Sequence, residues 1–305
     1  MLQHLRFRQL EMVRLLLETG SVRAAARAMN MTPPALSKSL REVEAIVGAV
    51  LFERTARGIV ATAAGHDFVR HARVLLQGLE ELRDCGRAVG GRARPVLRVG
   101  AAPFINWRIM PGVLRQLAQA DERPRIQLIE GRIIPLADQL VNGELDAILT
   151  LFTPEALQVL EQDALVLDQI YAERMLVVAG PDHSLGGGEV GWARLAEEDW
   201  ILPPPTFSQR LIVQRGCLEA GVLPPEPAIE TSNIPAMLRM VMAGLGLAVT
   251  FGSTVREDLA EGRLQLVRTD GELPPVPIGL ASRRTRADPR PLQALREAIR
   301  AYAAR

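Results

Sequence analysis

Residues 21–65 read SVRAAARAMNMTPPALSKSLREVEAIVGAVLFERTARGIVATAAG, and their pattern decides the N-terminal fold. Ser21 fits a helix N-cap. The segment after it is short and alanine-rich, and Ala24, Ala25 and Ala28 are small enough for a neighbouring helix to pack closely. Asn30-Met31 makes a turn, because Asn tolerates the left-handed conformation. Thr32 is the next N-cap, and Pro33 takes the first helical position, where a missing N–H costs nothing. From Pro33 to about Val47 the residues Leu36, Leu40, Val43 and Val47 form one apolar stripe. The opposite face carries Ala35, Ser37, Lys38 and Arg41. Gly48 stops this helix, and LFERTARGIVAT then predicts two short strands around Ala56-Arg57-Gly58. Helix, tight turn, cationic helix and hairpin make a winged helix-turn-helix, whose second helix enters the DNA major groove.

The residues expected to face DNA are Ser21, Arg23, Thr32, Pro33, Pro34, Ser37, Lys38, Arg41, Arg54 and Arg57. Lys38 and Arg41 can reach guanine or phosphate, and Ser37 a base edge or a backbone oxygen. Arg54 and Arg57 are expected at the tip of the wing, suited to phosphates or the minor groove. The plainer reading of the hairpin is a solvated loop whose charges only aid solubility. Upstream, the spacing predicts a helix from about Leu5 to Glu18 with Phe7, Leu10, Val13 and Leu17 on its buried face, ended by Gly20.

The stretch resembles the N-terminal signature of LysR-type transcriptional regulators. The matching elements are Gly20-Ser21, Ala24-Ala25, Pro34-Ala35, Ser37, Glu44, Gly48, Leu51-Phe52, Arg54, Thr62 and Gly65. Many unrelated residue types match over about sixty residues without a gap. One departure matters: the family commonly has Gln where this chain has Pro33, so that base contact does not transfer. The resemblance implies sequence-specific DNA binding, homodimers and often homotetramers, modulation by a small-molecule effector, and contact with RNA polymerase.

Residues 63–90 read as one long helix capped by Thr62. Phe68, Ala72, Leu75, Leu79, Leu82, Gly86 and Val89 recur at intervals of four and three, a coiled-coil stripe. Either this helix packs on its own domain or it pairs with a second copy, as the resemblance implies. A dimer would set two recognition helices on an interrupted inverted repeat.

Gly90-Gly91-Arg92-Ala93-Arg94-Pro95 is a hinge by composition. Beyond it strands and helices alternate: VLRVGAAP, a helix from about Trp107 to Ala120, RIQLIEG, the helix PLADQLVNGE, and LDAILTL. That order implies a parallel sheet covered by helices. A second block runs from ERMLVVAG to LQLVRT, and PIGLAS and a helix over about 291–303 close the chain. The expected organisation is a DNA-binding domain over 1–62, a dimerising linker over 63–90 and an effector domain over 91–305. Within the last, subdomain I covers about 95–162 and 268–305, and subdomain II about 163–267. Two α/β subdomains sharing a cleft resemble a periplasmic-binding-protein fold, the form of LysR-type effector domains.

Ligands of open α/β sheets sit outside the C-terminal strand ends. Those ends offer Ala102, Pro103, Phe104, Thr150, Thr206, Ser208, Ser232, Asn233 and Phe251. Short hydroxyls and helix N-terminal amides suit an organic acid. Ser232 opens a helix: it serves as a plain cap, the more economical role, or binds a carboxylate together with the following N–H groups. Some family members have a hydroxyl where Ala102 stands. PPPTFSQR loosely resembles a subgroup responding to sugar-like or aromatic acids.

Charge supports the division. Residues 1–94 carry 15 Lys and Arg against 9 Asp and Glu, a net of +6, whereas the remainder is net −5 with 21 against 26. A basic head on an acidic body fits a phosphate-binding module joined to a domain that meets no nucleic acid. Lys38 is the only lysine. No apolar run reaches membrane-spanning length and the N-terminus lacks a signal peptide, so a cytoplasmic protein is expected. Cys85 and Cys217 are too far apart in sequence for a disulfide scaffold or zinc spacing. His4, His66, His71 and His183 form no metal spacing, and no catalytic nucleophile has a paired base. No metal, cofactor or catalytic residue is expected. The alternative is an enzyme fused to an autoregulatory DNA-binding domain.

Overall fold

The computed structural model describes residues 5–56, 58–88, 94–119, 123–185, 188–284 and 289–304. The DNA-binding end comprises α1 (Phe7–Thr19), α2 (Val22–Ala28), α3 (Pro33–Val47), β1 (Phe52–Thr55) and β2 (Gly58–Ala61), followed by the long α4 (Ala63–Ala88). The rest begins with β3 (Val96–Ala101), a π-helical turn at Ile105–Ile109 running into α5 (Met110–Leu117), β4 (Arg125–Glu130), α6 (Ile133–Val141), β5 (Ala147–Leu151), α7 (Pro154–Leu160) and β6 (Leu165–Glu173). It continues with β7 (Met175–Ala179), β8 (Glu189–Val190), α8 (Trp192–Leu195), β9 (Ile201–Leu202), α9 (Ser208–Glu219), β10 (Ile229–Glu230), α10 (Ile234–Met242), β11 (Ala248–Phe251) and α11 (Gly252–Ala260). Last come β12 (Gln265–Thr269), β13 (Val276–Arg283) and α12 (Arg290–Ala303).

The first three helices start and stop where their own residues dictate. Gly20 and Gly48 take left-handed φ of 58° and 77° at the ends of α1 and α3, a conformation that costs glycine little. Ser21 and Thr32 accept from the N–H groups of Ala24 and Ala35, and Asn30 turns the chain at φ 53°. All three packing faces differ in part from expectation. Met12 and Leu16 share the core with Leu10 and Val13, while Phe7 is 54% exposed and Leu17 only half-buried. In α2 the buried alanines are Ala25 and Ala26, and Ala28 is exposed. In α3 Leu36, Leu40 and Val43 are buried and Val47 is not. In each case the docking partner, not the helix period, selects which edge of the stripe is covered.

Among the described residues the effector half holds two larger sheets and one short two-stranded sheet. The first has the order β4-β3-β5-β13-β6, with β3 parallel to β4 and to β5 and with β13 antiparallel to β5 and β6. Helix-covered central strands are buried on both faces, and AILTL of β5 is buried in four of its five positions. The second sheet has the order β11-β7-β12-β8, beside the parallel pair β9 and β10. The expected boundary at 163 is corrected: β6 pairs with β13 along its length and belongs to the first sheet. The chain crosses to the second subdomain at Arg174, between β6 and β7, and returns between β12 and β13. Strand β6 carries Asp168, held by Arg296 at 2.8 Å and Arg300 at 3.0 Å from α12. A carboxylate within a strand is locally unfavourable, and the cations that accommodate it lie 128 and 132 residues away.

Among the described residues no helix is long and apolar enough to cross a membrane, and no group of metal-ligating side chains comes together.

Candidate DNA interface and effector cleft

The recognition helix and the wing are assembled as one surface. Ser37 is the meeting point: its Oγ accepts from Arg54 Nη2 of β1 at 3.3 Å, and its carbonyl accepts from Arg41 Nε at 3.4 Å. Lys38 is exposed on the same helix. Arg54 is therefore within the strand, opposite Ile59, and turned onto the recognition helix rather than at the tip of the hairpin. Arg57 lies outside the described residues. Thr32 and Ser21 are occupied as caps, their oxygens 3.4 and 3.3 Å from the amides they accept. Arg23, Pro33 and Pro34 are exposed at the starts of α2 and α3. The arrangement offers three cations and one hydroxyl, a combination that can bind phosphates and read base edges.

What fixes this surface is a polar joint beneath it. Glu44 Oε1 accepts from Leu51 N at 2.8 Å and from Phe52 N at 3.2 Å, tying the end of the recognition helix to the first strand of the wing. Thr62 Oγ1 donates to Val50 O at 2.8 Å and accepts from Gly65 N at 3.0 Å, tying the wing to α4. A side chain at residue 65 would overlap Leu51 O, so glycine is required there by close approach of the backbone. Thr62 caps α4 as its sequence position predicts, whereas Glu44 and Gly65 have structural roles that the sequence alone marks only as matching positions.

On α4, Val69 is buried in the DNA-binding core, with Phe68 packed against it, and Ala72 is buried one turn further on. Val74, Leu75 and Leu82 are exposed, at 39%, 55% and 69%. The near end of the apolar stripe packs on its own domain and the far end faces outward. Val89 lies outside the described residues.

In the effector half, the expected cleft residues divide. Phe104 and Phe251 are buried and stack on each other, with ring centroids 3.9 Å apart at 19°, so they join the two subdomains. Thr150 is buried within β5. Pro103, Thr206 and Ser232 are exposed, Ala102 and Ser208 half-buried. One role is corrected: Asn233, not Ser232, caps α10, its Oδ1 accepting from Ala236 N at 3.0 Å. Asn233 competes better because the amide oxygen reaches the N–H three residues on, while Thr231 Oγ1 accepts from Asn233 N and shapes the preceding turn.

Several residues at the crossing between subdomains had no sequence signal. Arg108 Nε, in the π-helical turn, donates to Ser253 O at 2.7 Å, and Glu173 Oε1 accepts from Ser253 N at 2.9 Å. Burial, with the Glu173 carboxylate nearby, pushes the Tyr171 hydroxyl far above the usual phenol range, and burial likewise raises Tyr302. Both tyrosines are neutral at physiological pH. Arg210, in the first turn of α9, is also buried, with Glu226 at 3.8 Å. Cys217 is buried and burial raises its thiol, the opposite of what a reactive thiolate needs.

Two family models account for nearly the whole chain. A LysR substrate binding domain matches residues 90–304 and a bacterial regulatory helix-turn-helix protein of the lysR family matches residues 7–66. The regulator PcaQ of Agrobacterium fabrum is 26% identical over 300 residues, covering 98% of this chain and 95% of the relative. CbbR of Xanthobacter flavus is 28% identical, covering 93% and 83%. Among solved structures, ArgP of Mycobacterium tuberculosis superposes with a TM-score of 0.73 at 19% identity over 99% of this chain and 98% of that one. A full-length OxyR variant of Pseudomonas aeruginosa gives 0.70 at 24% over 98% and 95%. CbnR complexed with its target DNA gives 0.54 at 24% over 98% and 100%.

Proposed function

The chain belongs to the LysR family of transcriptional regulators, and on that premise we propose how it reads DNA and what it answers to. It is a DNA-binding regulator with an effector-binding domain and not an enzyme, since the matched domains and the relatives' names are those of regulators. Base reading falls on Ser37, Lys38, Arg41 and Arg54, with Arg57, Arg23 and the first turn of α3 at Pro33-Pro34 gripping the backbone. The observation that carries this reading is the contact of Arg54 with Ser37, which supports one continuous reading surface from the recognition helix to the wing. Two copies pair through the exposed Val74, Leu75 and Leu82 of α4, so the operator is an interrupted inverted repeat, with a tetramer as the working assembly. The protein works in the cytoplasm and acts on RNA polymerase there.

The effector is a small organic acid held between the subdomains. Thr206, Ser208 and Ser232 stand near the N-termini of α9 and α10, whose free amides favour anions, and Arg210 adds a cation to the first turn of α9. Closure around such a ligand would change the spacing of the paired DNA-binding domains.

Binding to the DNA upstream of its own gene, compared with random DNA across a range of salt, tests the first part. The expected result is a preference for the upstream DNA and a log-linear fall of affinity with salt. Substituting Arg41 is expected to relax base preference, whereas Arg57→Ala weakens all sequences alike and lowers the salt slope by about one unit. Equal loss of preference from both changes would show the roles to be misassigned. A thermal-shift panel of small organic acids tests the second part, with no stabilising compound as the failing result.

A further inference from the structure

We propose that Arg73 of the linker helix is a positioning residue that sets the effector domain against the DNA-binding domain, through Glu144. The proposal rests on the regulator reading above and adds how its two halves communicate. Arg73 reaches in two directions. Its Nη2 lies 3.1 Å from Glu18 Oε1 of α1, and its Nη1 lies 2.7 Å from Glu144 Oε1, in the turn between α6 and β5. The Arg73 side chain is only 16% exposed, and Glu18 is gripped a second time by Arg14 at 2.9 Å. One planar cation thus joins α1, α4 and the first effector subdomain. A guanidinium suits this, since its donors diverge in a fixed fork.

The surroundings show why this contact is a joint and not packing. Between the two domains lies an open cavity of about 540 Å³, walled by Glu11, Arg14 and Leu76 on one side and by Gln127, Gln139 and Asn142 on the other. Its lining also includes Leu79, Ile129 and Leu145, and the Arg73–Glu144 ion pair bridges the two walls. The two halves of the fork also differ. Glu18 and Arg73 belong to helices that pack on each other around the buried Val69, so that pair persists while the DNA-binding end is folded. Glu144 belongs to the other domain and can leave. It precedes β5, whose opposite end carries Thr150 near the expected effector cleft. A movement of the first subdomain that follows effector binding is transmitted along this strand to Glu144, and from there to α1 and the recognition helix.

Glu144→Gln and Glu144→Lys in the full chain test this, because Glu144 is half exposed and its loss leaves the Arg73–Glu18 pair intact. Affinity for a duplex holding one half-site is expected to stay within about two-fold of wild type, as surface ion pairs contribute little to folding. DNase I footprint length and DNA bend, read on the upstream DNA by circularly permuted fragments, are expected to change in both variants. Glu144→Asp is expected to retain the wild-type values in part. Wild-type footprint and bend in both Gln and Lys variants would overturn the proposal while leaving the regulator reading intact. Failure of the wild-type protein to prefer its upstream DNA would instead overturn that reading, and the coupling with it.

Discussion

The DNA-binding end and the effector half are built by opposite means. In the first, the contacts that place each element are short in sequence: Ser21 to Ala24, Thr32 to Ala35, Glu44 to Leu51, Thr62 to Gly65. In the second they are long: Arg108 to Ser253 spans 145 residues, Asp168 to Arg296 spans 128, and β6 finds its partner only at β13. Local contacts need little loop closure and leave their signature in neighbouring residues. Long-range contacts leave none until the chain is folded. The comparison predicts that the two regions fail separately and for different reasons.

The largest effect is expected from Phe251→Ala. This ring is 1% exposed and stacked on Phe104 across the subdomain boundary, and its removal is expected to cost about 3–5 kcal/mol in the effector domain. Thermal unfolding should show that domain melting earlier while single half-site binding persists. Leu36→Ala mirrors it at the other end. Leu36 is fully buried in the helix-turn-helix core, and the expected loss is about 2–5 kcal/mol, read as lost DNA binding with the effector-domain transition unmoved. If either variant drags both transitions down together, the two regions are one cooperative unit and the contrast fails.

Smaller changes sharpen it. Thr32→Ala removes the cap of the recognition helix and is expected to cost about 1 kcal/mol, with Thr32→Asp restoring stability but not DNA affinity, since a new carboxylate there repels phosphate. Denaturant midpoints and binding curves on the same three proteins separate the two effects. Phe7→Ser is expected to change stability by no more than about 0.5 kcal/mol, because Phe7 is exposed in the single chain. A loss of several kcal/mol would mean that a second copy covers it.

Much of the N-terminal fold was legible because each signal is carried by the residue that uses it: Pro33 after Thr32, Asn30 in the turn, Gly48 after the last apolar position. What misled was the choice of buried edge. Phe7 and Leu17 continue the helical period, yet Met12 and Leu16 are the residues that meet α2 and α3. In the effector half the alternation of strands and helices was readable, but β6 was not, because Asp168 interrupts its apolar pattern and its cations come from the last helix. α7 carried a signal that went unused, Thr153 before Pro154, and Thr153 does cap it. A position at a strand end does not by itself tell whether a side chain is exposed, as Ser232 is, or buried, as Phe251 is.

By itself the sequence determined the winged helix-turn-helix, the long linker helix and the α/β character of the remainder, since caps, turn residues and hydrophobic period act over a few residues. Tertiary structure alone decided that Arg54 lies against Ser37, that β6 belongs to the first sheet, that Phe104 stacks on Phe251, and that Arg73 spans two domains. Each of these depends on the register and docking of distant segments. Side-chain chemistry permits such contacts, but only the packed chain brings the partners within a few ångströms.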